Sequence, residues 1–145
     1  MLQIFRLIRP IVILIATATL VACQGNETDE YGPDEVRVYF IEWHITSRFA
    51  YNPSDLRGFA DSVVTDQNAT AVYKLVKAET TKSDVNPICR TAKLDGRLLV
   101  EAKLSNGNTE LYFGDRFCLC NLETQRCVEN NPQTKSEVSD LLDSD

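Results

Sequence analysis

One histidine, five cysteines and 21 carboxylates are the reactive stock of this 145-residue chain. A general base has to take up a proton near neutral pH, and His44, between Trp43 and Ile45 and next but one to Glu42, is the only imidazole that can. A single histidine near the end of an apolar stretch more commonly packs than reacts, so His44 is read as non-catalytic. The carboxylates form no pair that spacing alone can identify. Asp61, Asp66 and Asp84 read as loop or cap residues, and Asp95-Gly96 as a turn. Gly-x-Ser-x-Gly, His-Glu-x-x-His and a phosphate-cradling glycine loop are all missing from the sequence. Four sulfurs, those of Cys89, Cys118, Cys120 and Cys127, match the number a structural zinc needs. Their spacing does not: the common zinc pattern is Cys-x₂-Cys, and Cys-x-Cys is neither that nor a Cys-x-x-Cys redox motif. No metal and no cofactor is expected.

The fifth cysteine has a different setting. Arg6 and Arg9 lead into an apolar run, 11–22 (IVILIATATLVA), which stops at Cys23. About a dozen helical residues cover about 18 Å, too little for a hydrocarbon core of about 30 Å, but the usual length for the core of an export signal. The residues Leu20-Val21-Ala22-Cys23 resemble the lipobox of bacterial lipoproteins. That resemblance covers 1–23 only. It implies a signal peptide over 1–22, cleavage before Cys23, a diacylglycerol on the Cys23 thiol and further acylation of the new amino group. Two or three acyl chains, at about 0.8 kcal/mol per buried CH₂, hold stably to a bilayer. In Gram-negative members an Asp after the cysteine favours inner-membrane retention. Gln24 at that position implies the outer membrane, with the domain in the cell envelope and facing the periplasm.

Export also assigns the other cysteines. Four thiols in an oxidising compartment read as two disulfides. Cys118 and Cys120, at i and i+2 of a strand-like stretch, point to one face and are poor partners for each other. The compact polar stretch 121–126 favours Cys120–Cys127, which leaves Cys89–Cys118. In a chain-entropy treatment the two closures contribute about 2.5 and 3.5 kcal/mol.

These residues need elements to hold them. Positions 36–45 (VRVYFIEWHI) alternate like a strand with both faces partly apolar. Asn52-Pro53 caps a helix carrying Leu56, Phe59, Ala60 and Val63, and a second helix is expected over 68–79, followed by a loop over 80–87. Asn106-Gly107 joins 97–104 to 109–113 as a hairpin, with both turn residues tolerant of positive φ. Strands around 117–120 and 127–128 and a short helix over 136–142 complete an α+β fold: a mainly antiparallel sheet, two or three short helices and two disulfides. The residues divide into the signal 1–22, the lipidated cysteine and a flexible acidic tether 23–35, one domain 36–142 and an acidic tail 143–145. The tether has a coil span of roughly 20 Å, and about 40 Å when stretched.

Removing 1–22 takes away two arginines and no acid, leaving 13 basic against 21 acidic side chains, a charge of −8. Such a balance argues against nucleic acid and permits a basic protein partner. Tyr31, Tyr39, Trp43, Phe49, Tyr51 and Phe59 concentrate aromatics early in the chain; most are expected in the core. In size, acidity and disulfides the chain resembles lipid-anchored periplasmic immunity proteins and lysozyme inhibitors in general build, although no inhibitor motif is present and no residue carries over. The expected function is therefore a membrane-anchored, non-catalytic protein-binding domain, with a small hydrolase using His44 or carboxylates as the alternative.

Overall fold

Alternating apolar positions build the sheet at the centre of this protein. The computed structural model describes residues 32–45, 49–91 and 93–143. Their order is β1 (Pro33–Phe40), α1 (Pro53–Phe59), β2 (Ser62–Val64), α2 (Gln67–Lys82), α3 (Pro87–Thr91), β3 (Leu98–Leu104), β4 (Thr109–Gly114), β5 (Cys118–Asn121), β6 (Arg126–Glu129) and α4 (Pro132–Leu142). The six strands form one sheet in the order β2-β1-β3-β4-β5-β6, antiparallel at every step. The fold is α+β, as the alternation implies.

Val36, Val38 and Phe40 lie on one face with Leu98, Val100, Ala102, Leu104, Tyr112, Leu119 and Val128. The α2 stripe Ala69, Val72, Tyr73 and Val76 covers that face, and Val138 and Leu142 of α4 finish it. Spacings of three and four put the stripe on one side of its helix, and each fully buried aliphatic contributes about 1.5–3 kcal/mol. Asp66 caps α2 by accepting from the Asn68 and Ala69 amides at 2.7 and 3.4 Å. The opposite face holds Tyr39, Ile41, Leu99 and Phe113 against Leu56 of α1, then the four cysteines. Gly96 lies so close under Phe113 that a Cβ there would come within 2.2 Å of the ring.

Several boundaries differ from the expected ones. β1 begins at Pro33, three residues before position 36, so 33–35 are sheet and not tether; Ser105 donates from N and Oγ to Gly32 O at 3.3 and 3.0 Å. It ends at Phe40, and Trp43 follows in a turn closed by Ile45 N donating to Glu42 O. The Asn52 capping box starts α1 as expected, with Asn52 Oδ1 accepting from Ser54 and Asp55 amides at 2.8 and 3.1 Å. The helix does not run on to Val63. Ala60 leaves helical geometry at ψ 137°, Asp61 N donates to Phe40 O, and Val63 pairs with Tyr39 in β2. The free edge of β1 takes the chain as a strand, and Phe59 is left 66% exposed. α2 is longer than expected, extending through Lys82, and the short helix α3 follows at Pro87. In the β3–β4 turn only Gly107 has positive φ, 84°, so Asn106 does not need it. That geometry is a type I turn followed by a left-handed glycine.

Candidate interaction surface

The two ends of the sheet differ in polarity. At one end the chain enters β1 beside the β3–β4 turn, among Asp34, Ser105, Asn106 and Asn108. At the other, where β1 ends, β3 starts and β4 passes to β5, large apolar side chains reach solvent. Phe117 is 66% exposed there and Ile88 74%. Eight strand residues, about 25 Å, separate the ends.

Phe117 is exposed on a segment that is held from several sides. Asp115 Oδ1 accepts from the Phe117 and Cys118 amides, both at 2.7 Å, and Asp115 N donates to Cys118 O at 2.9 Å. This side-chain turn folds 115–118 back on itself. Asn130 Nδ2 donates to Asp115 O at 2.6 Å, Asn130 N to Phe117 O at 2.8 Å and Lys135 Nζ to Arg116 O at 2.8 Å. The Cys89–Cys118 disulfide then ties the segment to α3. Ordering an apolar side chain before a partner arrives removes part of the entropy that binding otherwise costs.

Beside Phe117 lies a cleft of about 330 Å³ lined by Ile88, Phe117, Pro132, Arg116, Lys135 and Glu129, with Asn86, Cys89, Cys118 and Asn130 completing it. The Arg116 guanidinium lies over the Phe117 ring at 5.5 Å. Ile88 and Phe117 each precede one half of the Cys89–Cys118 bridge, so the bridge itself brings them to one cleft.

The expected cysteine pairs are both present: Cys89–Cys118 and Cys120–Cys127, the latter between directly opposed residues of β5 and β6. Cys23, Tyr31, the signal and most of the tether lie outside the described residues. His44 is mostly exposed and pairs with Glu42 at 3.0 Å. Trp43 packs edge-on against Phe40, and its indole N–H donates to Lys135 O and Ser139 Oγ at 3.3 and 3.2 Å. Of the early aromatics, Tyr39 is buried, Tyr51 half-buried, and Phe49 and Phe59 exposed. Asp66 is a cap, as read. Asp95 instead accepts from the Tyr51 amide and the Arg97 guanidinium, which is wholly buried and lies over the Tyr51 ring. Nε and Nη1 of Arg97 find no hydrogen-bond partner among the described residues.

A second polar cluster sits between α2 and β4. Glu110 Oε2 accepts from the Tyr73 and Tyr112 hydroxyls at 3.0 and 2.8 Å, and Lys77 Nζ donates to Glu110 Oε1 at 3.2 Å. Burial, reinforced by the Glu110 charge, pushes the Tyr112 phenol well above its ordinary pKa near 10. Burial also raises Tyr73, with Lys77 opposing. Two tyrosines held protonated against a carboxylate fasten helix to sheet; they offer no group poised to exchange a proton near neutral pH. Among the described residues no group of three or more His, Cys, Asp or Glu is placed to hold a metal, and no helix is long and apolar enough to cross a membrane.

Comparison with protein-family models, curated proteins and solved structures finds no match to this chain. The surface therefore stands on its own chemistry. Sequence reading missed Ile88, Arg116, Phe117 and Lys135 as a group, and treated Phe117 as strand. A signal was present: once Cys89–Cys118 is the favoured pair, the residues before each cysteine become neighbours.

Proposed function

We propose that the protein is a lipid-anchored lipoprotein of the bacterial outer membrane whose periplasmic domain binds another protein and catalyses no reaction. The observation that carries it is Phe117, exposed on a disulfide-tied segment at the end of the sheet opposite the one where the chain enters. Aromatic side chains are enriched at protein interfaces, and a pre-ordered backbone lowers the entropy that binding costs. The lipobox resemblance at Cys23 supplies the anchor and Gln24 the sorting. An anchor ahead of β1 attaches the domain at the end opposite Phe117, and a tether reaching roughly 20 Å leaves the Phe117 end accessible to a partner.

Site-specific photocrosslinking in intact cells tests this. A photoreactive phenylalanine analogue at position 117 is expected to crosslink one discrete protein, whereas the same analogue at position 106 is not. Equal crosslinking from both positions, or none from 117, overturns the binding role. Cys23→Ser is expected to block palmitate labelling and signal cleavage, and the native protein to band with the outer membrane on a sucrose gradient.

A further inference from the structure

We infer that the cleft beside Phe117 takes an acidic segment of a protein partner, with an apolar side chain of that segment packed on Phe117 and Ile88. This rests on the protein-binding role proposed above and specifies its chemistry.

The charges argue for it. Among the described residues Arg37, Arg57, Lys77 and Arg97 have a carboxylate within ion-pair distance, and several surface cations, Lys74, Lys82 and Lys103 among them, do not; what sets Arg116 and Lys135 apart is that they share one cleft. Arg116 and Lys135, which share the cleft, have no carboxylate within 4.0 Å among the described residues. Lys135 spends one donor on Arg116 O and keeps two more, since an ammonium carries three. The Arg116 guanidinium, 5.5 Å over the Phe117 ring, carries the planar fork of donors whose shape matches a carboxylate. Glu129, also lining the cleft, adds one negative charge, so the site suits a ligand with a few carboxylates beside an apolar group and not a polyanion.

The floor is apolar, from Ile88, Phe117 and Pro132 over the Cys89–Cys118 bridge. A cation pair above an apolar floor also suits an anionic lipid surface. The charge of −8 on the mature chain argues otherwise, because a broad anionic surface faces the whole domain and a short segment meets only the cleft. The overall negative charge slows the approach of an acidic segment, but screening over about 8 Å at physiological salt leaves the local cations in control at contact.

The test uses the full protein in neutral detergent and two fluorescent hexapeptides, DDLFED and its charge-reversed twin KKLFKK, read by anisotropy. DDLFED is expected to bind, to weaken as salt rises, and to lose about tenfold in affinity with Arg116→Glu or Phe117→Ala, while KKLFKK binds at least tenfold more weakly. Circular dichroism of both variants is expected to match the parent. Lys135→Gln, which keeps the length of the side chain, gives an independent reading if Arg116→Glu fails to fold. Equal binding of both peptides, or DDLFED binding that none of the three substitutions reduces, overturns the inference. So does capture by phosphatidylglycerol vesicles through Phe117 with no DDLFED binding, which assigns the surface to lipid. Crosslinking at position 117 that excess DDLFED does not compete overturns the acidic partner and leaves the binding role standing.

Discussion

In the β3–β4 hairpin seven strand residues face six across a loop at 105–108; in the β5–β6 hairpin four face four across a loop at 122–125. Both loops use an asparagine side chain to organise the turn. Asn106 Oδ1 accepts from the Asn108 amide, and Asn121 Oδ1 from the Glu123 and Thr124 amides. Both also need one left-handed residue. The first hairpin has Gly107 there, at φ 84°, and the second has Gln125, at φ 55°. The first is long and correct in its local chemistry. The second is short, carries a residue with a Cβ where glycine is preferred, and is bridged by Cys120–Cys127. Its outer edge is tied down by Arg126, whose guanidinium donates to Thr80 O and Ser83 O at the end of α2. Packing and turn chemistry suffice where strands are long; where they are short, the chain uses covalent and cross-element ties.

The contrast can be broken from either side. The largest effect is expected from Cys89→Ser with Cys118→Ser. Opening a separation of 29 residues should cost about 3.5 kcal/mol in urea unfolding, and the Phe117 surface should lose its order. Cys120→Ser with Cys127→Ser should cost about 2.5 kcal/mol, and hydrogen exchange should rise in β5 and β6 while β3 and β4 stay protected. Exchange rising equally in both hairpins would sink the distinction.

Tyr112 stands opposite Asn121, at the seam between the hairpins. Its folded phenol keeps its proton where the unfolded one gives it up, so stability is intact below about pH 10 and falls above it, at up to about 1.4 kcal/mol per pH unit for that group. Tyr112→Phe should flatten that alkaline fall; an unchanged slope would assign it elsewhere. Gly107→Ala should cost about 1 kcal/mol, because alanine resists positive φ. Gln125→Gly should go the other way and gain about 0.5 kcal/mol, the relieved strain being partly offset by a more flexible unfolded chain. A loss at Gln125→Gly would mean that the side chain contributes more than its backbone costs.

Much of the fold is legible because its signals are local. Alternation gives β1 and β3, Asn52-Pro53 gives the start of α1, and Cys118-x-Cys120 on one strand face limits the disulfides to two pairings. What was missed depends on distant neighbours. Val63 fits a helical spacing, yet the open edge of β1 takes it as strand. Pro33–Glu35 look like linker by composition and join the sheet because β3 is long enough to pair with them. Phe117 looks like the first residue of a strand, and Asp115 turns it out to solvent. The candidate surface was the least legible part: it is assembled from α3, the β4–β5 connection and α4, and only the bridge reveals that they meet.

The place of β1 in the sheet also sets a clock. It lies between β2 and β3, and its main partner β3 follows it by about sixty residues. In an exported chain β1 reaches the folding compartment first and waits until β3 has crossed as well. Until then the apolar positions Val36, Val38, Tyr39, Phe40 and Ile41, all buried in the finished protein, have no sheet to join. An exposed segment of this kind is prone to pair with other chains. Before the sheet can close, something must keep that stretch waiting, and any mutation that delays β3 lengthens the wait.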